Sequence, residues 1–329
     1  SHDASQASMS AEMALITPLA LEDARRIGRA FGLDVARVAP VQGGSVNSNF
    51  RLETQAGRSV FVRVYEEQAT AGANQELAVL AALARAGVPT PMPLARGDGS
   101  VLDEHRGKPV ALFPWVDGEI LCQARVRVEH TRAVGQALAR VHLARIDDAP
   151  KGRFERADLE ARLSRAAKEA PRFEPVTRQI SERLAAVIAR RDATLPAGLV
   201  HGDLFRDNVL WHDGRIAALI DFESACHGVY VYDLMVCVHA WCFGDRFDPE
   251  LVRALLVGYH ALRRLSPSEV AALPLEGALG ALRFATTRIT DYSLRATAGA
   301  PPLRDYRRFL ARLAEIEAGA LDSVCRGLD

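Results

Sequence analysis

Lysine is almost missing from this chain of 329 residues: there are three, Lys108, Lys151 and Lys168, against 38 arginines. Any site that needs a fixed cation must therefore use a guanidinium. Net charge is missing too, since Lys+Arg and Asp+Glu number 41 each. No overall field is available to hold nucleic acid or an anionic membrane, and neither is expected as a partner. No apolar run approaches the ~20 residues that span a bilayer. Five scattered cysteines, an odd number, give no disulfide framework, which fits a reducing cytoplasm. The opening residues, Ser1 to Ser8, lack the basic and apolar segments of a signal peptide, so residues 1–16 are expected to be a disordered tail or a remnant of expression.

What is present begins with size and apolar content. At 49% hydrophobic residues the chain is globular, and its length favours two lobes with a cleft between them. The most informative stretch is His201-Gly202-Asp203-Leu204-Phe205-Arg206-Asp207-Asn208, followed by an apolar run to Ile220-Asp221-Phe222. Between its ends, Val209-Leu210-Trp211, an Asp213-Gly214 turn and Ile216 to Ile220 read as strand, turn, strand. Such a hairpin returns the chain to its start and sets Asp221 beside Asn208. Phosphoryl transfer needs these residue types. A nucleotide's phosphates call for a divalent cation, and magnesium takes a few protein oxygens, here Asn208 and Asp221. An alcohol acceptor needs a group to take its proton, and Asp203 is placed for that. Each residue alone would be ordinary turn chemistry; the ordered set is not.

This arrangement resembles the catalytic loop and metal-binding aspartate of protein kinases, with His-Gly-Asp in place of His-Arg-Asp, as in small-molecule kinases of the aminoglycoside phosphotransferase and choline kinase type. The implied fold is α+β and bilobal, protein kinase-like. It has a small N-lobe, residues 17–113, with an antiparallel sheet and one main helix. A hinge at 114–118 leads to a larger, mostly helical C-lobe, 119–329. ATP and Mg²⁺ are the implied cofactors.

Taken in order, Thr17-Pro18 opens a helix running to Gly32, and Val38 to Val41 and Asn49 to Thr54 are strands. The turn between them carries Gly43, Gly44 and Ser45, which in an N-lobe of this kind would lie over the phosphates. Ser59 to Tyr65 alternates as a third strand and puts Arg63 where kinases carry a phosphate-gripping lysine. Glu76, on a helix from Ala71 to Ala86, is its expected acidic partner. Phe113, Trp115 and Val116 are the expected adenine contacts. From Val126 the pattern is helical and His142 falls in the core. Two helices parted near Pro171 fill 155–192 and are assigned no chemistry. Tyr232 to Phe243 is an apolar, hence buried, helix, with Asp233 as acceptor for catalytic-loop N–H groups and His201 as a structural residue of that loop. Cys226, His227, Cys237, His239 and Cys242 invite a zinc site, but Cys237 and Cys242 point apart on a helix and read as core.

The segments Asn47-Ser48-Asn49-Phe50, Leu204 to Leu210, Ile220-Asp221-Phe222, Tyr232-Asp233-Leu234, Ala240-Trp241-Cys242, Leu282-Arg283-Phe284, Thr287-Arg288 and Asp291-Tyr292 together resemble the homoserine kinases of that fold. The resemblance implies a small hydroxylated acceptor, homoserine first, with Arg206, Glu223, Trp241, Arg288, Asp291 and Tyr292 on the acceptor side. Arg288 and Asp291 sit three apart in a helical stretch, Ala281 to Leu294, and would share one face. They would suit a zwitterion, guanidinium to carboxylate and acid to ammonium. Glu223, His239 and Tyr292 depart from that family's usual residues. Kinases of another hydroxylated amine or amino acid, or of an aminoglycoside, stay open, as does an inactive nucleotide-binding module.

Overall fold

The computed structural model describes residues 17–41, 47–146, 148–152, 154–294 and 304–325. The chain forms two compact units, one from residues up to 84 with 90–117, the other from 85–89 with 118 onward.

The first unit holds α1 (Leu21–Ala30), β1 (Val35–Pro40), β2 (Ser48–Thr54), β3 (Ser59–Val64), α2 (Thr70–Arg85), β4 (Asp103–His105) and β5 (Lys108–Pro114). Its strands pair antiparallel in the order β1-β2-β3-β5-β4. Alternation along β3 buries Val60, Val62 and Val64 in a core shared with Ile27 of α1, Leu52 and Leu112. The period of two then turns Phe61 and Arg63 to the other face. The first helix starts at Leu21, later than Pro18 suggests. Residues ahead of it are tied elsewhere: the Thr17 amide donates to Ser48 Oγ at 3.1 Å and its hydroxyl to Glu66 at 2.9 Å. The short strand β4 escaped the sequence reading. It joins β5 through Arg106 and Gly107, both at positive φ as a two-residue hairpin requires.

The second unit holds α3 (Val128–Leu143), α4 (Arg156–Glu169), α5 (Glu174–Ala189), β6 (Ala197–Val200), β7 (Val209–His212), β8 (Arg215–Leu219), β9 (Cys226–Val229), α6 (Tyr230–Trp241), α7 (Pro249–Leu262), α8 (Pro267–Arg288) and α9 (Arg307–Glu317). Two small antiparallel ribbons, β6 with β9 and β7 with β8, carry the loop at 201–208 between them. As the apolar composition of α6 requires, it is buried nearly all round, Asp233 and Trp241 included. Helix α8 does not run on as an α-helix to Leu294. It ends at Arg288, and Ile289–Ser293 form a π-helical turn. Among the described residues, no helix is long and apolar enough to cross a membrane.

Candidate active site

The loop between β6 and β7 is fixed mainly by backbone hydrogen bonds to buried side chains. Asp233 is fully buried; its Oδ2 accepts from the His201 amide at 2.7 Å and its Oδ1 from the Gly202 amide at 2.8 Å. Its Oδ2 also takes His142 Nε2 at 3.0 Å, and His142 Nδ1 lies 2.6 Å from the Tyr259 hydroxyl. Burial pushes the Asp233 carboxyl up, but the hydrogen bonds it accepts from His142 and the His201 amide outweigh that and hold it below its ordinary value. Burial pushes His142 and His201 down, so both are neutral. His201 Nε2 faces the Ile220 carbonyl at 3.1 Å, while its Nδ1 accepts the Asp203 amide at 3.3 Å. Those two contacts select the tautomer with the proton on Nε2. Gly202 has φ +76°, and a Cβ there would sit 2.9 Å from the Ser224 carbonyl oxygen. A side chain would therefore move the loop, which accounts for glycine before Asp203.

Asn208 closes the loop from the other end. Its Nδ2 donates to the Asp203 carbonyl at 2.8 Å, and among the described residues no donor is bonded to its amide oxygen. The hairpin β7–β8 pairs Val209 with Leu219 around an Asp213-Gly214 turn, both turn residues at positive φ. The Ile220 amide donates to the Asn208 carbonyl at 3.0 Å, so Asp221 follows directly at the open end of the hairpin. Asp221 itself has φ +64°, a left-handed conformation that a non-glycine residue keeps only when its surroundings impose it.

Asp203 keeps 33% of its side-chain surface exposed, yet protein groups surround it closely enough to govern its titration. Desolvation, opposed by Arg283 and reinforced by Asp221 and Asp207, lifts its carboxyl to about 6. Arg283 Nη1 lies 3.5 Å from Asp203 Oδ1. The sequence reading gave Arg283 no role. Its segment, Leu282-Arg283-Phe284, carries part of the family resemblance, and its other sequence signal is a charge among apolar helix neighbours.

Several residues expected on the acceptor side stand differently. Trp241 is fully buried, and its Nε1 donates to the Leu204 carbonyl at 3.0 Å, so it props the loop instead of lining a pocket. Arg206 donates to the Ala240 carbonyl at 2.6 Å and to Gln123, which likewise ties it to the scaffold. Arg288 and Asp291 have separate protein partners, and the π-turn changes the spacing that would put them on one α-helical face. Asp291 takes Arg162 of α4 at 2.7 Å, and the Arg288 guanidinium lies 4.6 Å from the centroid of Phe309. Helix α4 therefore contributes a polar contact after all. Tyr292 lies under Arg304, at 5.4 Å. Glu223 follows Asp221 in a short 3-10 turn and is half-buried.

In the first unit Arg63 Nη1 meets Glu76 Oε1 at 3.2 Å, both side chains largely buried. Phe113 is buried against Phe61 at a centroid distance of 6.2 Å. Trp115 lies under Arg51 and donates to Asp117 at 3.0 Å, and Val116 is half-buried. Gly43, Gly44 and Ser45 lie outside the described residues.

Residues 37–265 match a family described as the phosphotransferase enzyme family. A homoserine kinase of Mesorhizobium japonicum is 35% identical over 277 residues, covering 82% of this chain and 85% of that protein. One from Rhodospirillum rubrum is 37% identical over 274 residues, covering 79% and 83%. Among solved structures, the amicoumacin kinase hAmiN in complex with AMP-PNP, Ca²⁺ and Ami superposes with a TM-score of 0.69 at 18% identity, over 91% of this chain and 94% of that one. At that identity the likeness concerns the fold, a sheet unit and a helical unit of the kinase-like kind.

Proposed function

The chain belongs to the phosphotransferase enzyme family, and from that premise we propose that it phosphorylates the hydroxyl group of L-homoserine, with ATP as donor and Mg²⁺ as metal. The observation that carries this reading is the loop at 201–208. It holds a carboxylate poised near neutrality, in a chain whose curated relatives at 35% and 37% identity are homoserine kinases.

Asp203 takes the hydroxyl proton as the acceptor oxygen bonds to phosphorus and the bond to the leaving nucleotide oxygen breaks. A base does this best when its pKa lies close to the working pH yet leaves it ionised, and a carboxyl lifted to about 6 meets both conditions. Arg63, held by Glu76, supplies the fixed positive charge for the nucleotide phosphates that an almost lysine-free chain must draw from arginine. The Asn208 amide oxygen and the Asp221 carboxylate fit a magnesium site, being hard oxygen donors and few in number. When bound, the metal neutralises phosphate charge during transfer.

Asn208→Ala and Asp221→Ala should each remove at least about 10-fold from the gain in ATP affinity that magnesium gives the parent. Calorimetric titration of ATP with and without the metal measures this. An undiminished gain in both variants would place the ligands elsewhere. The acceptor is tested on a panel of L-homoserine, choline and an aminoglycoside, with phosphate transfer followed on each. Homoserine should lead; a panel led by choline or the aminoglycoside overturns the acceptor assignment.

A further inference from the structure

The guanidinium of Arg283 is a buried cation beside the catalytic loop for which the chemistry above has no use. It is 4% exposed and lies between the rings of Phe154 and Phe284, at 4.1 Å and 3.9 Å from their centroids. Its Nη1 is within ion-pair range of Asp203, at 3.5 Å, but makes no hydrogen bond there. Nη1 and Nε are both buried with no hydrogen-bond partner. Buried N–H donors on a cation are costly to leave unmatched, so their retention points to an anion that arrives with the substrate. The same side chain lines a cavity of about 350 Å³, whose wall includes Phe154, Ser224, Cys226 and Tyr232 and reaches Gly202, the residue before Asp203, but not Asp203 itself. All of these residues belong to the second unit.

We propose that Arg283 is the acceptor-binding residue that receives the substrate's carboxylate, beside Asp203, and so restricts the enzyme to short hydroxylated acids. The proposal rests on the amino-acid acceptor proposed above and names the residue that recognises it. Two anchor groups 3.5 Å apart suit one small molecule that presents a hydroxyl to the first and a carboxylate to the second. In homoserine three carbons separate the hydroxyl oxygen from the carboxylate carbon, and bonds of ~1.5 Å let those ends lie roughly 3–5 Å apart. The flanking rings fix the guanidinium plane without using its N–H groups, so it is preorganised for this contact. Arg288 also feels the charge of Asp203, but its guanidinium lies over Phe309 and, among the described residues, no ion pair joins it to Asp203.

The test compares L-homoserine with L-homoserinamide, which keeps the hydroxyl and the ammonium but carries no carboxylate, in the parent, Arg283→Lys and Arg283→Met. The parent should favour homoserine by about 100-fold in kcat/KM, because a site built for a charged, hydrogen-bonded group rejects its neutral analogue. In Arg283→Met that preference should fall to within about 3-fold of unity, through a raised homoserine KM with ATP KM unchanged. Any effect of the substitution on Asp203 reaches both substrates and cancels in the ratio. Arg283→Lys keeps the charge without the planar fork and should lose about 10-fold of the preference; it carries the test if Arg283→Met does not fold. An unchanged ratio in the variants, or equal losses on both substrates, overturns the role of Arg283 while homoserine remains the acceptor. A parent that ignores homoserine but phosphorylates choline overturns the acceptor and this role together.

Discussion

Asp203→Asn is expected to lower turnover by about 10²–10⁴-fold while the protein stays folded and binds nucleotide, since an amide cannot take the acceptor's proton. The loop does not depend on this carboxylate. Asp233 holds the amides of His201 and Gly202, and Asn208 binds the backbone carbonyl of residue 203 rather than its side chain. The folded state holds the Asp203 proton up to about 6, whereas an ordinary aspartate titrates near 3.8. Ionised Asp203 therefore weighs against the fold above pH 6, and that penalty fades as the pH falls from about 6 towards 3.8. Asparagine removes it, so at pH 8 the variant should melt at the parent's temperature or above. The same titration sets the acid limb of activity. Parent turnover should therefore hold above pH 6 and fall below it, as Asp203 takes up its proton. Near-normal turnover in Asp203→Asn, or a parent whose activity already falls between pH 8 and 7, would remove Asp203 from its role.

Much of the site was legible in the sequence because its parts are close together along the chain. Asp203 and Asn208 share one loop, and the Asp213-Gly214 turn with apolar flanks announced the hairpin that carries Asp221. Arg63 and Glu76 are likewise separated by a single strand-to-helix connection. Features that depend on distant partners were not legible. Strand β9 has four residues, one of them glycine, and exists because it pairs with β6 from nearly thirty residues earlier. The π-helical turn after Arg288 has no local sequence mark, and it undid the spacing argument that joined Arg288 to Asp291. Arg283 was lost among 38 arginines, because nothing in its neighbours says that its charge ends beside Asp203. Trp241 could have been placed correctly. It belongs to the helix already read as buried, and a buried indole N–H needs an acceptor, here the Leu204 carbonyl.

Asp233→Ala should destabilise the protein by about 3–5 kcal/mol, the range expected when one member of a buried, hydrogen-bonded polar network is removed. Two catalytic-loop amides and His142 Nε2 lose their acceptor at once, and all three groups lie where water does not reach. Each side-chain oxygen of Asp233 already serves at least one donor, so Asp233→Asn offers little rescue: one oxygen becomes an NH₂ group facing an N–H. The two substitutions should therefore have similar denaturant midpoints, both well below the parent's, with the slope of the transition unchanged. Whatever folded protein remains should show lower turnover with ATP KM less affected, because the displaced loop is the one that carries Asp203. A variant within about 1 kcal/mol of the parent would mean that the loop is held by other contacts, with the hydrogen bonds of His201 to Ile220 and of Asn208 to the Asp203 carbonyl the first to examine.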